Sequence, residues 1–371
     1  MKVKLTYIFS CIENSLAFEW MAENINTDKF DVQYVFLNPV VPAIATKFIA
    51  IGYNVVFIPY RKKSDSLSAG LALIKMLVKN RPDIVHTHLF DASLIALPIA
   101  KLLGIKKRIH TRHHSSFHHQ YHPHAVKYDR FINSCSTQIV AITKNVADIL
   151  IDAEKVPKQK VFIVNHGFDF ADFSEVDNSR IDVIKAKYNP EKRRPVIGVI
   201  SRFTAWKGIQ FIIPAFAKLV QQYPESLLVL ANANGDYKTE IELLLKQLPE
   251  HSYKVITFEP DVIALYSLFD VFVHVPIDAH SEAFGQVYVE ALAAHLPCVF
   301  TLSGVANDFI VDGVNAVVVP FQDVEAIQNA VIKIISTNDF ANHISEQGAK
   351  DVRQLFGIKR MIADLEKVYE S

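Results

Sequence analysis

The sequence predicts an α/β protein made of two Rossmann-like, doubly wound domains that face one another across a cleft. Short β-rich runs alternate with helical stretches along the chain, which is the signature of parallel sheets covered by helices on both faces. The alternation halts once, in a polar stretch from about residue 172 to 194, and restarts at Val196. The length agrees: 371 residues, half of them apolar, exceed what one hydrophobic core ordinarily serves.

In the first domain, assigned to residues 1–180, strands are expected at 3–9, 32–37, 54–58, 84–88, 107–111, 138–142 and 161–165. Helices are expected at 15–24, 43–51, 67–80 and 92–103. The second domain, assigned to 190–354, repeats the pattern. Its strands fall at 196–201, 227–231, 254–258, 271–275, 298–301 and 316–319. Its helices fall at 208–222, 237–248, 262–269, 324–336 and 340–352, with Pro214 expected to kink the first. A last amphipathic helix, about 355–371, is expected to pack back on the first domain. Ligands of such sheets bind beyond the carboxyl ends of the strands, so the site is sought in the loops there.

Composition removes several function classes. The formal net charge is zero, which gives a nucleic-acid partner no electrostatic support. Cys11, Cys135 and Cys298 are far apart, against a disulfide framework and in favour of a reducing compartment. The N-terminal apolar run stops at Glu13 without a small-residue cleavage site and reads as a strand. No apolar run is long enough for a transmembrane helix. The expected location is cytoplasmic, with peripheral contact to the inner face of a membrane as an option. No strand is followed by GxGxxG, which argues against a dinucleotide-dependent oxidoreductase.

Residues 281–297, SEAFGQVYVEALAAHLP, form a polar loop and then a strong helix ended by Pro297. The amides at Phe284, Gly285 and Gln286 open that helix, where an anion is favoured, and Gly285 lets a ligand approach the backbone. Glu282 lies just before the helix and Glu290 within it. A carboxylate beside a phosphate site suits a ligand that also carries sugar hydroxyls, because one carboxylate accepts from two vicinal OH groups. Taken singly, Glu282 could merely complement the helix dipole and Glu290 could be a solvated surface residue. A second loop, Ser201-Arg-Phe-Thr-Ala-Trp-Lys207-Gly208, carries two cations at a strand's carboxyl end. They suit a diphosphate, Arg202 as a fork and Lys207 as a point charge; alone they could be surface cations.

Together these loops, Arg202-x4-Lys207-Gly208 and Glu282-x-Phe284-Gly285-x4-Glu290-Ala291, resemble those of the retaining glycosyltransferases of family four, which have the two-domain GT-B fold. Four further segments are similar to that family's: Asp83-x4-His88, Thr111-x-His113, Asn165-His-Gly167-Phe-Asp169 with Phe173, and Asp312-Gly313-x6-Pro320. The resemblance implies a nucleotide-sugar donor, UDP- or GDP-linked, and a glycan, lipid-linked or small-molecule acceptor. It implies that Arg202 and Lys207 hold the diphosphate, Glu290 the ribose, and Glu282 the transferred sugar. The backbone at Phe284, Gly285 and Gln286 would touch sugar and phosphate. His113 would face the sugar from the first domain, with Asn14, His88 and His118 on the acceptor side. No cofactor or metal is expected.

Departures from the family pattern are visible. The loop after the first strand, Ser10-Cys-Ile-Glu-Asn14, lacks glycine, His295 stands where glycine is usual, and Ser303-Gly304-Val-Ala-Asn307 replaces a Gly-Gly-x-x-Glu loop. Seven histidines crowd 110–124. His114, His118 and His122 share a helical spacing that could ligate a metal, but no acid or cysteine is interleaved; a cationic, aromatic loop over the acceptor is the stronger expectation. Two rivals stay open. One is a nucleotide-sugar epimerase or hydrolase of the same fold, which needs a further base. The other is a non-catalytic sugar-binding subunit, which should have lost one of Arg202, Lys207 or Glu290, and none is lost.

Overall fold

The computed structural model describes residues 2–174 and 176–371. It divides into two compact units, Met1–Phe168 with Ile358–Ser371, and Asp169–Gly357.

The first unit holds seven strands: β1 Val3–Ser10, β2 Phe30–Asn38, β3 Asn54–Pro59, β4 Ile84–His88, β5 Lys107–Arg112, β6 Gln138–Ala141 and β7 Val161–Ile163. They form one parallel sheet in the order β3-β2-β1-β4-β5-β6-β7. The register pairs Tyr7 with Tyr34 on one side and with His86 on the other. The strand order reverses between β1 and β4, so a crevice opens beyond Ser10 and His88. The central strands β1, β2 and β4 are buried almost throughout, as in a parallel sheet covered on both faces, while the edge strands β3 and β7 are partly exposed.

The second unit holds six: β8 Val196–Ile200, β9 Leu227–Ala231, β10 Tyr253–Ile256, β11 Val271–His274, β12 Cys298–Phe300 and β13 Val317–Val318. Their order, β10-β9-β8-β11-β12-β13, is again parallel and reverses between β8 and β11. Every residue of β8, β9 and β11 is buried. Gly198 is required inside β8, because a Cβ there would lie 2.2 Å from the Phe269 ring. Helix Ile209–Gln222 packs seven buried side chains into the core and runs through Pro214, forgoing one main-chain hydrogen bond.

Helices Asn178–Tyr188 and Val126–Cys135 are among those that depart from the sequence expectation. Helix Asn178–Tyr188 lies within the stretch read as a linker and belongs to the second unit. It buries only Ile184 and Tyr188, too little apolar surface for a periodicity to be visible. Polar bonds anchor it instead: Arg180 pairs with Asp261 at 2.6 Å, and Tyr188 Oη donates to Glu259 at 2.5 Å. Helix Val126–Cys135 was not expected at all. Two of its four inward positions are Asp129 and Asn133, so its buried stripe does not look apolar.

The C-terminal helix, Ile358–Glu370, belongs to the first unit. Tyr369 Oη lies 2.6 Å from Tyr7 Oη and 2.7 Å from His86 Nδ1. Gly167 passes so close that a Cβ would meet Ile358 Cα at 2.8 Å.

Candidate active site

The switch point of the second sheet brings together loops distant in sequence. After β8 the chain runs through Ser201-Arg202-Phe203-Thr204 to Gly208, which caps the next helix at φ +77°. Gly208 has no alternative: any Cβ would sit 1.8 Å from the Val275 carbonyl oxygen. That contact locks the Lys207 loop against the end of β11. After β11 the chain reaches Glu282, whose amide donates to Ser303 Oγ at 3.0 Å. Gly304, at φ +56°, lies so tightly under this turn that a Cβ would meet Glu282 Cβ and Phe284 O, both at 2.7 Å.

The result is a charged triad. Lys207 Nζ donates to Glu282 Oε1 at 2.5 Å. His274 Nε2 lies 3.0 Å from the same oxygen; a carboxylate only accepts, so Nε2 carries the proton. Burial pushes the Glu282 carboxyl up, yet the Lys207 charge and the His274 bond outweigh it and hold it down at about 2. Burial likewise lowers His274, so the ring is neutral near pH 7 and its buried Nδ1 has no hydrogen-bond partner. Glu282 is therefore a fixed anion that shares one cation. Arg202, in the same loop as Lys207, is exposed, and its guanidinium makes no ion pair among the described residues.

Glu290 sits in helix Gln286–Ala293, half-buried, and accepts from Tyr266 Oη at 2.7 Å. Burial raises its carboxyl above the ordinary range, and the Tyr266 bond works against that rise. Phe284 is core: it is 3% exposed and meets Phe356 edge-on at 5.8 Å. Only its main chain can serve a ligand. Gly285 opens the helix at φ +83°, with Gln286 exposed as the first helical residue.

In the first unit, His88 Nδ1 lies 3.1 Å from His113 Nε2, so the structure joins two of the expected site residues. His166 stacks on His113 with centroids 5.5 Å apart. Burial first, then neighbouring histidines, pulls His88 and His113 well below the usual range; His166, by burial, falls to about 4. These rings are neutral near pH 7. Asn14 is exposed in the loop after β1, and the loop's anchors are its neighbours: Asn38 Oδ1 accepts from Ile12 N at 3.2 Å, and Glu13 Oε1 accepts from Ala43 N at 3.1 Å. His118 lines a cavity with His113 and bonds Asp129 through Nδ1 at 2.7 Å.

Sequence reading missed His274, Tyr266, His166 and Asp129. The signal for His274 was present, a histidine ending an apolar strand directly before the Glu282 loop. Tyr266 carried none, since an aromatic in an apolar helix reads as core.

Residues 180–351 match the model described as glycosyl transferases group 1, and residues 22–172 match that of glycosyltransferase family 4. The chain is 27% identical over 251 residues to the capsular polysaccharide biosynthesis glycosyltransferase CapM of Staphylococcus aureus; the match covers 64% of this chain and 62% of that protein. It is 20% identical over 343 residues to the Escherichia coli UDP-Gal:alpha-D-GlcNAc-diphosphoundecaprenol alpha-1,3-galactosyltransferase, covering 87% of this chain and 85% of that one. Among solved structures, Anabaena Alr3699/HepE in complex with UDP and glucose superposes with a TM-score of 0.83 at 17% identity, over 98% of this chain and 99% of the other. At that identity the superposition establishes the fold.

Proposed function

We propose that this chain, which belongs to the family-4-like glycosyltransferases of GT-B fold, moves a sugar from a nucleotide-sugar donor to a glycan or lipid-linked acceptor with retention of anomeric configuration. The observation that carries the reading is the Lys207–Glu282–His274 triad at the switch point of the second sheet. A fixed carboxylate beside a lysine matches a ligand in which sugar hydroxyls adjoin a phosphate.

In this reading Lys207 and Arg202 bind the donor diphosphate. The bond from the sugar's anomeric carbon to the phosphate oxygen breaks, and its electron pair stays on the leaving diphosphate. Fixed cations that stabilise this developing charge supply a large part of the rate enhancement. The acceptor oxygen bonds the anomeric carbon through an oxocarbenium-like transition state, and its proton passes to a donor phosphate oxygen. Glu282, held ionised, accepts from hydroxyls of the transferred sugar, and Glu290 from the ribose. Main-chain groups at Phe284, Gly285 and Gln286 contact sugar and phosphate. His113 is assigned a contact to the sugar, supported by its neutral ring and its pairing with His88. No cofactor has a step here.

UDP is the first base to test, because a similar fold binds it; GDP is the second. Membrane contact is supported by helix Ser66–Asn80, which exposes Leu67, Leu71, Ile74 and Val78 along one face. Arg61, Lys62, Lys63, Lys75, Lys79 and Arg81 are exposed around it. That pattern suits an anionic lipid surface. Among the described residues no helix is long and apolar enough to cross a membrane.

Calorimetric titration with UDP, GDP and ADP, on wild type and on Glu290→Ala, tests the reading. Micromolar binding of one nucleotide, weakened about tenfold or more in the variant, about 1.4 kcal/mol, supports it. Absence of nucleotide binding, or an indifferent variant, rejects it.

A further inference from the structure

We propose that His114, His118 and Asp129 form a binding site for a divalent transition-metal ion of the zinc class, in the first unit. Histidines alone made such a site weak in the sequence. The fold adds the missing carboxylate, carried by helix Val126–Cys135. One ligand atom from each residue lies within 4.8 Å of the other two. Asp129 Oδ2 lies 3.4 Å from His114 Nε2 and 2.7 Å from His118 Nδ1. Zinc bonds of about 2.0–2.2 Å in a tetrahedron imply ligand–ligand edges of roughly 3.3–3.5 Å. The His114 edge already has that length, and the His118 edge reaches it with a shift of well under 1 Å.

Charge points the same way. Asp129 and Glu154 are both buried, with side chains 0% exposed, and one cation, Arg112, serves them. The guanidinium is closer to Glu154, at 2.6 Å, than to Asp129, at 3.1 Å. Glu154 is further satisfied by Asn133 Nδ2 at 2.6 Å and His119 Nε2 at 3.3 Å. Asp129 Oδ1, fully buried, has no hydrogen bond of proper geometry. Two carboxylates and one guanidinium leave a net negative charge, which burial makes expensive unless a cation offsets it. Arg112 then acts as the outer partner that orients a ligating carboxylate. His114, His118 and Asp129 also line a cavity of about 280 Å³ with Phe90, Phe117 and Ile132. A fourth coordination position facing it has room for water or for an anionic oxygen of a bound molecule, the arrangement of a three-ligand zinc site.

This inference does not depend on the transferase reading. Its test uses the full chain, stripped with chelator and dialysed against zinc, with bound metal counted by mass spectrometry and thermal unfolding followed in parallel. The expected result is one tightly held equivalent, a rise in melting temperature reversed by chelator, and a tetrahedral absorption spectrum when cobalt replaces zinc. His118→Ala and His114→Gln are expected to lose the equivalent and the thermal shift, while the surface variant His122→Ala keeps both. Less than one equivalent on wild type, or retention by both His118→Ala and His114→Gln, overturns the proposal.

Discussion

Lys207 and Glu282, 75 residues apart, meet at 2.5 Å with side chains only 16% and 9% exposed. The pair links the two loops at the switch point of the second sheet. It also means that the lysine proposed for the diphosphate is already committed to a carboxylate. Donor binding must therefore draw Lys207 into a three-way contact with Glu282 and phosphate. Lys207→Met is expected to lower kcat/KM roughly 100- to 1,000-fold through lost charge stabilisation. It is also expected to destabilise the unit by about 3 kcal/mol, because it strands a buried carboxylate. A transfer assay combined with urea unfolding checks both numbers; a variant of normal activity would remove Lys207 from the mechanism.

Gly208→Ala tests the lock beneath that pair. The substituted Cβ meets the Val275 carbonyl at 1.8 Å, and the residue keeps φ +77°. Left-handed backbone alone costs an alanine about 1–2 kcal/mol, and relief of the clash must move main chain. A loss of more than 2 kcal/mol is expected, together with weaker nucleotide binding. Denaturant titration and calorimetry measure the two effects separately.

Tyr266→Phe removes the donor to Glu290 Oε2 at 2.7 Å. That bond opposes the upward pull of burial on Glu290. Without it the carboxyl protonates at a higher pH, and a protonated acid is a poorer acceptor for ribose hydroxyls. Nucleotide affinity is expected to fall about fivefold, near 1 kcal/mol. Equal affinities for variant and wild type would assign Tyr266 to packing alone.

The buried histidines of the first unit set its acid limit. Burial, with His110 adding to it, depresses His86 to about 3; burial, then Arg112, does the same to His110; His166 falls to about 4 by burial. Their unfolded value is near 6.5. Between 6.5 and these folded values the unfolded chain binds more protons, so stability rises with pH across that window. Each such ring is expected to forfeit up to about 2 kcal/mol on going from pH 7 to pH 5. Melting curves at the two pH values should show a large drop, and replacing His166 by Gln should reduce it.

Helix Ser66–Asn80 supplies a prediction about location. Leu71→Glu with Val78→Glu places charge on its exposed apolar face. Binding to vesicles containing anionic lipid is expected to fall at least tenfold, with nucleotide binding unchanged. Wild-type chain that ignores such vesicles would end the membrane reading.

What the sequence determined by itself was the repetitive part and the motif-bearing loops. Parallel strands buried on both faces favour apolar runs, so β8, β9 and β11 declare themselves, and two rounds of the pattern imply two sheets. The Arg202–Lys207 and Glu282–Glu290 loops were legible because glycine, charge and spacing are local properties. Contacts between distant residues that carry no local signature were decided only by tertiary structure. Periodicity reads a helix through the apolar surface it buries. Helix Val126–Cys135 buries Asp129 and Asn133, and helix Asn178–Tyr188 is held by Asp261 and Glu259, so both escaped it. The sharing of Glu282 by Lys207 and His274, and the meeting of His114 and His118 with Asp129, follow from strand order and helix packing. Burial then fixes the charge of these groups, and burial is a property of the folded chain.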